Sequence, residues 1–183
     1  MGKGVGIIMS NLFAWASIGE NGRGTGGKKG DQTGKEVKVG NYYDFGQNKV
    51  IRFKNPLRGR KMAEIAKFVA NDNSVGYNMS VNERATFYNA CRAYNWNWDE
   101  VKRAISNGRF PKCNTDCSDF YLTCVNLTYG YCKIPPTATT MTLVKICTEQ
   151  NKRNFKLAPT FPPKKWKKGD APIKEGKHII INV

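Results

Sequence analysis

One cysteine and one histidine in this chain could together perform nucleophilic chemistry. His178 is the chain's one histidine, and Cys117 begins a segment with a helical apolar pattern. The nucleophilic form of cysteine is the thiolate, and the amides and dipole of a helix N-terminus stabilise that anion. An imidazole within reach can accept the thiol proton. The residue types therefore predict a Cys117 nucleophile with a His178 base; the alternative is a buried structural thiol and an unrelated surface histidine.

Local patterns predict an α+β domain in which helices come first and a small antiparallel sheet comes last. The apolar spacing predicts helices over 10–18, 61–69, 80–94, 98–105, 117–127 and 140–148. A capping box from Ser80 to Glu83 predicts the start of the third of these helices. Near the C-terminus, Gly169-Asp170 opens a strand that runs to Lys174, and a turn leads into a last strand from His178 to Val183. The glycine-rich stretch 20–34 is predicted to be a loop, and 37–45 is predicted to be extended.

The charge of the chain points to a polyanionic environment. The formal net charge is +16 and the isoelectric point is about 9.7. Nucleic acid and anionic cell-wall polymers both fit such a charge, and the charge alone does not separate them. Four lysines, Lys164, Lys165, Lys167 and Lys168, flank Trp166. They predict either a polyanion-binding edge or a solvated face.

At 183 residues the chain is predicted to be a single domain, with no membrane span. The apolar run from Val5 to Ala16 is similar to a signal peptide, but Ser10 and Asn11 interrupt it. This favours a first helix and synthesis in the cytoplasm without a signal. The six cysteines lack Cys-x-x-Cys spacing, so reduced thiols are predicted, with a Cys113–Cys132 disulfide as the alternative. No metal and no cofactor are expected.

The segment Asp116-Cys117-Ser118-Asp119-Phe120 resembles the Asp-Cys-Ser-x-Phe nucleophile motif of the NlpC/P60 and related CHAP cysteine peptidases. In that family a helix begins at the cysteine, and the histidine lies on the second strand after a Gly-Asp, as His178 follows Gly169-Asp170 here. The stretches 15–22 and 26–37, with Gly76-Tyr77, are similar to the opening of NlpC/P60-type endolysins of phages and prophages.

This resemblance implies a papain-like core and a peptidoglycan hydrolase. The bond would be an amide of the stem peptide or cross-bridge, cleaved through an acyl-enzyme on Cys117. Endopeptidase and N-acetylmuramoyl-L-alanine amidase activity both remain open. Residues 1–183 would form one catalytic domain, with about 1–110 as one wall of the cleft and 111–183 as the core. The partners would be peptidoglycan and anionic wall polymers, reached by secretion or holin-dependent release.

The resemblance also predicts further site residues. The family carries a polar residue beyond the histidine that orients the imidazole, but Asn182 lies roughly 13 Å along the strand from His178 and is a poor candidate. Substitutes from the N-terminal half are Asp31, Glu20 and Asp44, and Gln32 is a candidate oxyanion donor. The candidate substrate-binding residues are Thr33, Asp116, Ser118 and Trp166.

Other functions fit parts of the same pattern. An interbacterial amidase toxin or bacteriocin would use the same chemistry. A catalytically inactive wall-binding module fits the missing orienting residue. A basic nucleic-acid-binding protein is not expected, since the chain carries no motif for it.

Overall fold

Two antiparallel sheets and one short parallel pair of strands enclose a central helix in the computed structural model, which describes residues 12–30, 33–160 and 163–183. The predicted α+β class is confirmed. The strands are β1 (Leu12–Ala16), β2 (Val37–Asn41), β3 (Lys49–Phe53), β4 (Val75–Tyr77), β5 (Cys113–Thr115), β6 (Phe155–Leu157), β7 (Ala171–Lys174), β8 (His178–Ile179) and β9 (Ile181–Asn182). The helices are α1 (Pro56–Ala70), α2 (Thr86–Ala93), α3 (Trp98–Ser106), α4 (Cys117–Tyr129) and α5 (Leu143–Lys145), with a π-helical turn at Ile146–Gln150 and a 3-10 turn at Pro163–Lys165.

The C-terminal segment joins the two antiparallel sheets. One sheet has the order β2-β1-β9 and the other the order β6-β3-β7-β8, while β4 and β5 pair in parallel. The amide of Ile180 donates to Pro172 O at 3.2 Å and the amide of Asn182 donates to Asp170 O at 2.8 Å, so the backbone pairing continues past β8. Since β9 also pairs with β1, the two ends of the described chain meet beside the histidine strand.

The central helix is α4, in which every residue from Cys117 to Thr128 is buried. It packs against α1 and α2. A helix surrounded by protein on all sides must pair its polar side chains internally. Asn126 does so by accepting from the amides of Lys133 and Ile134 at 2.7 and 2.8 Å, which fixes the loop after the helix.

Helix boundaries follow side-chain caps where those caps form. The predicted α3 is confirmed, because Asn97 accepts from the amides of Asp99 and Glu100 at 3.1 and 3.3 Å. The predicted helix over 61–69 is part of α1, which begins earlier. Asn55 caps it by accepting from the amide of Leu57 at 2.9 Å, and a proline occupies the first position.

The helix predicted over 10–18 is wrong for its described part, since Leu12–Ala16 is strand β1. β1 is a central strand that pairs with β2 along its whole length on one edge and with β9 at Phe13 and Ala14 on the other. Its Phe13 and Trp15 are buried in a small apolar cluster with Trp166. Residues 10 and 11 lie outside the described residues.

The capping box at Ser80 does not form. The Ser80 amide instead donates to Asn78 Oδ1 at 2.8 Å, and Glu83 Oε2 accepts from Asn114 Nδ2 at 3.3 Å. The residues after Ser80 form turns, and α2 begins only at Thr86. A local turn at Asn78 and a tertiary contact of Glu83 thus replace the box, and the helix starts several residues later than predicted.

Two further predicted elements are shorter than expected. The helix predicted over 140–148 begins at Leu143 and continues as a π-helical turn. The predicted last strand is interrupted at Ile180, between β8 and β9, where the chain passes from one sheet to the other. The predicted strand from Gly169-Asp170 and the turn before His178 are confirmed.

All six cysteines are free thiols. Cys113 is buried with its sulfur 3.6 Å from Ser74 O, and the exposed Cys132 has its sulfur 3.1 Å from Tyr88 Oη. The alternative Cys113–Cys132 disulfide is therefore not formed. Over the described ranges, no helix has the length and apolar character needed to cross a membrane.

Candidate active site

Cys117 is the first residue of α4, as the sequence predicted, and Asp116 caps this helix. Asp116 has an extended backbone, and its Oδ1 accepts from the Asp119 amide at 2.6 Å and from Ser118 Oγ at 2.7 Å. The cap fixes the helix start, so the Cys117 side chain lies at the amide-rich end of the dipole.

The second carboxylate oxygen of Asp116 forms an ion pair with Arg84. Arg84 Nη1 lies 3.2 Å from Asp116 Oδ2, and Arg84 Nη2 donates to the carbonyls of Pro136 and Ala138, each at 3.2 Å. Asp116 and Ser118 are both buried. The structure thus gives a capping role to two residues that were predicted to bind substrate.

The histidine strand lies directly beside Cys117. The Cys117 sulfur is 4.0 Å from the carbonyl oxygen of Lys177, and the backbone amide of Ile179 is close enough to donate to the thiolate. These are the residues on either side of His178. The hairpin of β7 and β8, with Lys174 opposite His178, sets this position.

Three aromatic residues to which the sequence had assigned no role line the same site. The ring of His178 is 6.3 Å from that of Tyr43 and 5.3 Å from that of Phe45, measured between centroids. Burial, and to a smaller extent the charge of a Cys117 thiolate, raise the pKa of Tyr43 to about 12. The same two effects raise the pKa of Tyr77. Tyr43 therefore neighbours both members of the predicted pair, and Tyr77 neighbours Cys117. In the sequence, Tyr43 and Phe45 lie within the segment predicted to be extended, and Tyr77 belongs to the Gly76-Tyr77 pair of the family resemblance.

Burial keeps both members of the pair uncharged. Desolvation, followed by the nearby Asp116 carboxylate, raises the pKa of Cys117 to about 12, although amides of Ile179, Ser118 and Cys117 itself oppose the rise. Desolvation lowers the pKa of His178 to about 4. At neutral pH the site thus contains a thiol and a neutral imidazole. The buried Nε2 of His178 has no hydrogen-bond partner among the described residues.

The described candidates for an orienting residue all have other partners. Asn182 Nδ2 donates to Lys167 O at 3.2 Å, and Asp44 Oδ1 accepts from the amide of Gly46 at 2.8 Å. Glu20 Oε1 accepts from the amide of Lys28. The remaining candidates, Asp31 and Gln32, lie outside the described residues.

The other two residues predicted to bind substrate also have internal partners. Thr33 Oγ1 donates to the Glu36 carboxylate at 2.8 Å. Trp166 is 6% exposed, and its Nε1 donates to Pro159 O at 3.0 Å while its ring packs edge-on against Phe13. The Trp166 ring is thus part of the apolar core.

The glycine-rich loop lies against β4, the strand that ends at Tyr77. Asn78 Nδ2 donates to Gly27 O at 2.9 Å, and the backbone of Tyr77 approaches Gly27 so closely that a Cβ there would clash with it. Glycine is required for this approach. The loop therefore packs beside one of the aromatic neighbours of Cys117.

Within residues 12–30, 33–160 and 163–183, no group of three or more histidine, cysteine, aspartate or glutamate side chains is placed to hold a metal ion. The polar groups of the site are the Cys117 thiol, the His178 imidazole, the two tyrosine hydroxyls and the amides at the start of α4. This set is suited to acyl transfer through a thiol.

Comparison with known proteins gives one match. The model of the family described as "Endolysin-like domain" matches residues 13–183, which include both Cys117 and His178. No curated protein and no solved structure matches the chain. The match supports an endolysin-type protein that acts on the bacterial cell wall, while the finer resemblance to NlpC/P60 and CHAP peptidases stays a prediction. This chain belongs to the endolysin-like domain family.

Proposed function

We propose that the protein is a peptidoglycan hydrolase that cleaves an amide bond of the stem peptide or its cross-bridge, with Cys117 as nucleophile and His178 as base. The observation that carries the proposal is the position of the Cys117 sulfur, at a capped helix N-terminus and next to the backbone on both sides of His178. The family match supports the wall as the site of action.

The acylation step follows from the uncharged resting pair. As the Cys117 sulfur bonds to the carbonyl carbon of the substrate amide, its proton passes to His178. The carbonyl oxygen becomes an oxyanion, to which the amides of Cys117 and Ser118, beside the sulfur at the start of α4, would donate. The intermediate collapses with cleavage of the C–N bond, and the imidazolium returns the proton to the leaving amine.

Deacylation uses the same groups. His178 removes a proton from water, and the resulting hydroxide attacks the thioester carbonyl. Cleavage of the C–S bond releases a carboxylic acid and returns the proton to the Cys117 sulfur. Because both resting groups are neutral, proton transfer accompanies the attack and no stable thiolate–imidazolium pair is needed beforehand.

Mass spectrometry of digested peptidoglycan tests this proposal. Purified peptidoglycan is incubated with the wild type, Cys117→Ala and, as a matched control, Cys132→Ala, which alters an exposed cysteine. New muropeptides with a free amine and a free carboxylate are expected from the wild type and the control only. Products from Cys117→Ala would exclude the thiol mechanism, and the masses identify the bond.

A catalytically inactive wall-binding module is the second candidate. It is favoured by the absence of a polar orienting partner for His178 among the described residues. In that case wild type and Cys117→Ala both sediment with insoluble peptidoglycan, and neither releases products.

A further inference from the structure

A strongly basic cavity lies away from Cys117. It has a volume of about 260 Å³ and is formed where β3, β6, the start of α1 and the segment 167–170 meet. Its basic lining residues are Arg52, Lys54, Arg60, Lys156, Lys167 and Lys168. Asp170 is the one acidic residue that lines it.

The single carboxylate in this cavity is already neutralised. Arg52 donates to both oxygens of Asp170, at 2.7 and 2.5 Å, and the amide of Lys167 donates to Asp170 at 2.7 Å. The other five basic side chains have no carboxylate at ion-pair distance in the part of the chain that the structure describes. All five are exposed. The cavity therefore concentrates uncompensated positive charge, which favours an anionic ligand.

The backbone beneath these side chains is closely packed. Gly59 of α1 packs against the carbonyl of Lys168, and a Cβ on Gly59 would lie 2.7 Å from that oxygen. Gly169 has a φ of +84°, a conformation that favours glycine. Together with the Arg52–Asp170 pair, these contacts fix the cavity floor and the backbone that carries Lys167 and Lys168.

The cavity and the Cys117 site lie at opposite ends of β7. Asp170 precedes the first residue of this strand, whereas His178 pairs with Lys174 at its last residue. Four strand residues span about 13 Å. None of the residues that line the cavity belongs to the Cys117 site, so a ligand there would leave the reacting groups free.

We propose that this cavity binds phosphate groups of a phosphodiester-linked anionic polymer of the cell wall, and so holds the protein on its substrate. The choice of a wall polymer rests on the proposed site of action. Single-stranded nucleic acid is disfavoured because its bases stack on exposed aromatic faces. Here the one aromatic lining residue, Phe53, is 4% exposed and packs against Phe155 with 4.7 Å between ring centroids.

The test compares two variants with the same loss of charge. The cavity variant is Lys156→Gln/Lys167→Gln/Lys168→Gln, and the control is Lys67→Gln/Lys145→Gln/Lys152→Gln, which alters exposed lysines outside the cavity. Each full-length protein carries Cys117→Ala, so that walls stay intact. Sedimentation with purified walls is measured over a series of salt concentrations, before and after hydrofluoric acid removes the phosphodiester polymers.

The cavity variant is expected to bind polymer-bearing walls at least about tenfold more weakly than the control, with a shallower salt dependence. Stripped walls should bind both variants equally. Equal weakening of both variants, or a difference that persists on stripped walls, would overturn the proposal. So would stronger competition by a DNA oligonucleotide than by purified teichoic acid at equal phosphate concentration, since it would indicate a nucleic-acid site.

Release of muropeptides from stripped peptidoglycan is measured separately with active Cys117. The cavity variant should retain this activity. If wild type releases no products but the cavity variant still loses binding to polymer-bearing walls, the hydrolase proposal fails and the cavity proposal stands.

Discussion

Arg84 and Asp116 form an ion pair, with 3.2 Å between Nη1 and Oδ2, that connects the turn before α2 to the cap of the Cys117 helix. The side chain of Asp116 is 8% exposed and that of Arg84 is 20% exposed. The Asp116 carboxylate also accepts from the amide of Asp119, so Asp116 both caps the helix and forms the ion pair with Arg84. The position of Cys117 thus depends on a contact with a residue far away in the sequence.

Replacement of Arg84 should therefore destabilise the protein and impair the Cys117 site. Arg84→Ala leaves a nearly buried carboxylate without its cationic partner and frees the carbonyls of Pro136 and Ala138. We expect a loss of about 2–4 kcal/mol in the free energy of unfolding, measured by urea denaturation. The control Lys49→Ala removes a more exposed pair with Glu175 and should cost less than about 1 kcal/mol. Equal losses in the two variants would refute a special role for Arg84.

His178 should make the protein less stable in mild acid. Burial lowers its folded-state pKa to about 4 from an ordinary value of 6.5. Above pH 6.5 the residue is neutral in both states and has no effect. As the pH falls from 6.5 towards 4, the unfolded chain binds a proton that the folded protein does not, so stability decreases by up to about 3 kcal/mol.

Because His178 is the only histidine, its ring proton can be followed directly by NMR. The folded protein should titrate near pH 4, and His178→Gln should lose less stability between pH 6.5 and 4.5 than the wild type. Phe45→Ala, which uncovers the ring, should move the pKa towards 6.5, whereas Tyr131→Ala, at an exposed tyrosine, should not. A wild-type midpoint near 6.5 would contradict the buried neutral imidazole.

Asp119 should be a destabilising residue at neutral pH. It is fully buried, its Oδ1 has no partner among the described residues, and desolvation followed by the nearby Asp116 charge raises its pKa. Since the folded pKa lies above the unfolded one, its contribution is most favourable in acid and is lost as the pH rises. Asp119→Asn should raise the urea midpoint at pH 7, whereas Asp99→Asn, in the exposed first turn of α3, should lower it slightly. A lower midpoint for Asp119→Asn would show that the ionised carboxylate is needed.

Gly59→Ala should destabilise the protein, whereas a glycine-to-alanine change in a helix usually stabilises it. In an open helix the change stabilises by about 1 kcal/mol. Here the added Cβ would lie 2.7 Å from Lys168 O, so Gly59→Ala should destabilise by about 1–3 kcal/mol in thermal or urea unfolding. Lys61→Ala in the same helix should change stability by less than about 0.5 kcal/mol. A stabilised Gly59→Ala would mean that the close packing beside the basic cavity is absent.

Local signals in the sequence were sufficient where a side chain caps its own helix. Asn97 accepts from the amides two and three residues ahead, and the start of α3 was predicted from it. The start of α4 was predicted from the apolar pattern that follows Cys117, and the structure adds the cap by Asp116. The hairpin of β7 and β8 was also predicted from a local signal, because Glu175 and Gly176 form a turn between strands that are adjacent in the sequence. The candidate nucleophile and base were identified because few residue types can perform thiol chemistry.

Tertiary contacts decided what these signals left open. The apolar run at Phe13 fits a helix or a strand, and it became β1 because β2 pairs with one of its edges and β9, from the C-terminal segment, with part of the other. Ser80 and Glu83 form a capping-box sequence, but the Glu83 carboxylate instead accepts from Asn114, which is far away in the sequence. Tyr43 and Phe45 lie beside the His178 ring and Tyr77 lies near Cys117, although all three are far from both in sequence. The sequence by itself thus determined the candidate nucleophile and base and their nearest elements, whereas their surroundings depended on long-range packing, which local patterns do not encode.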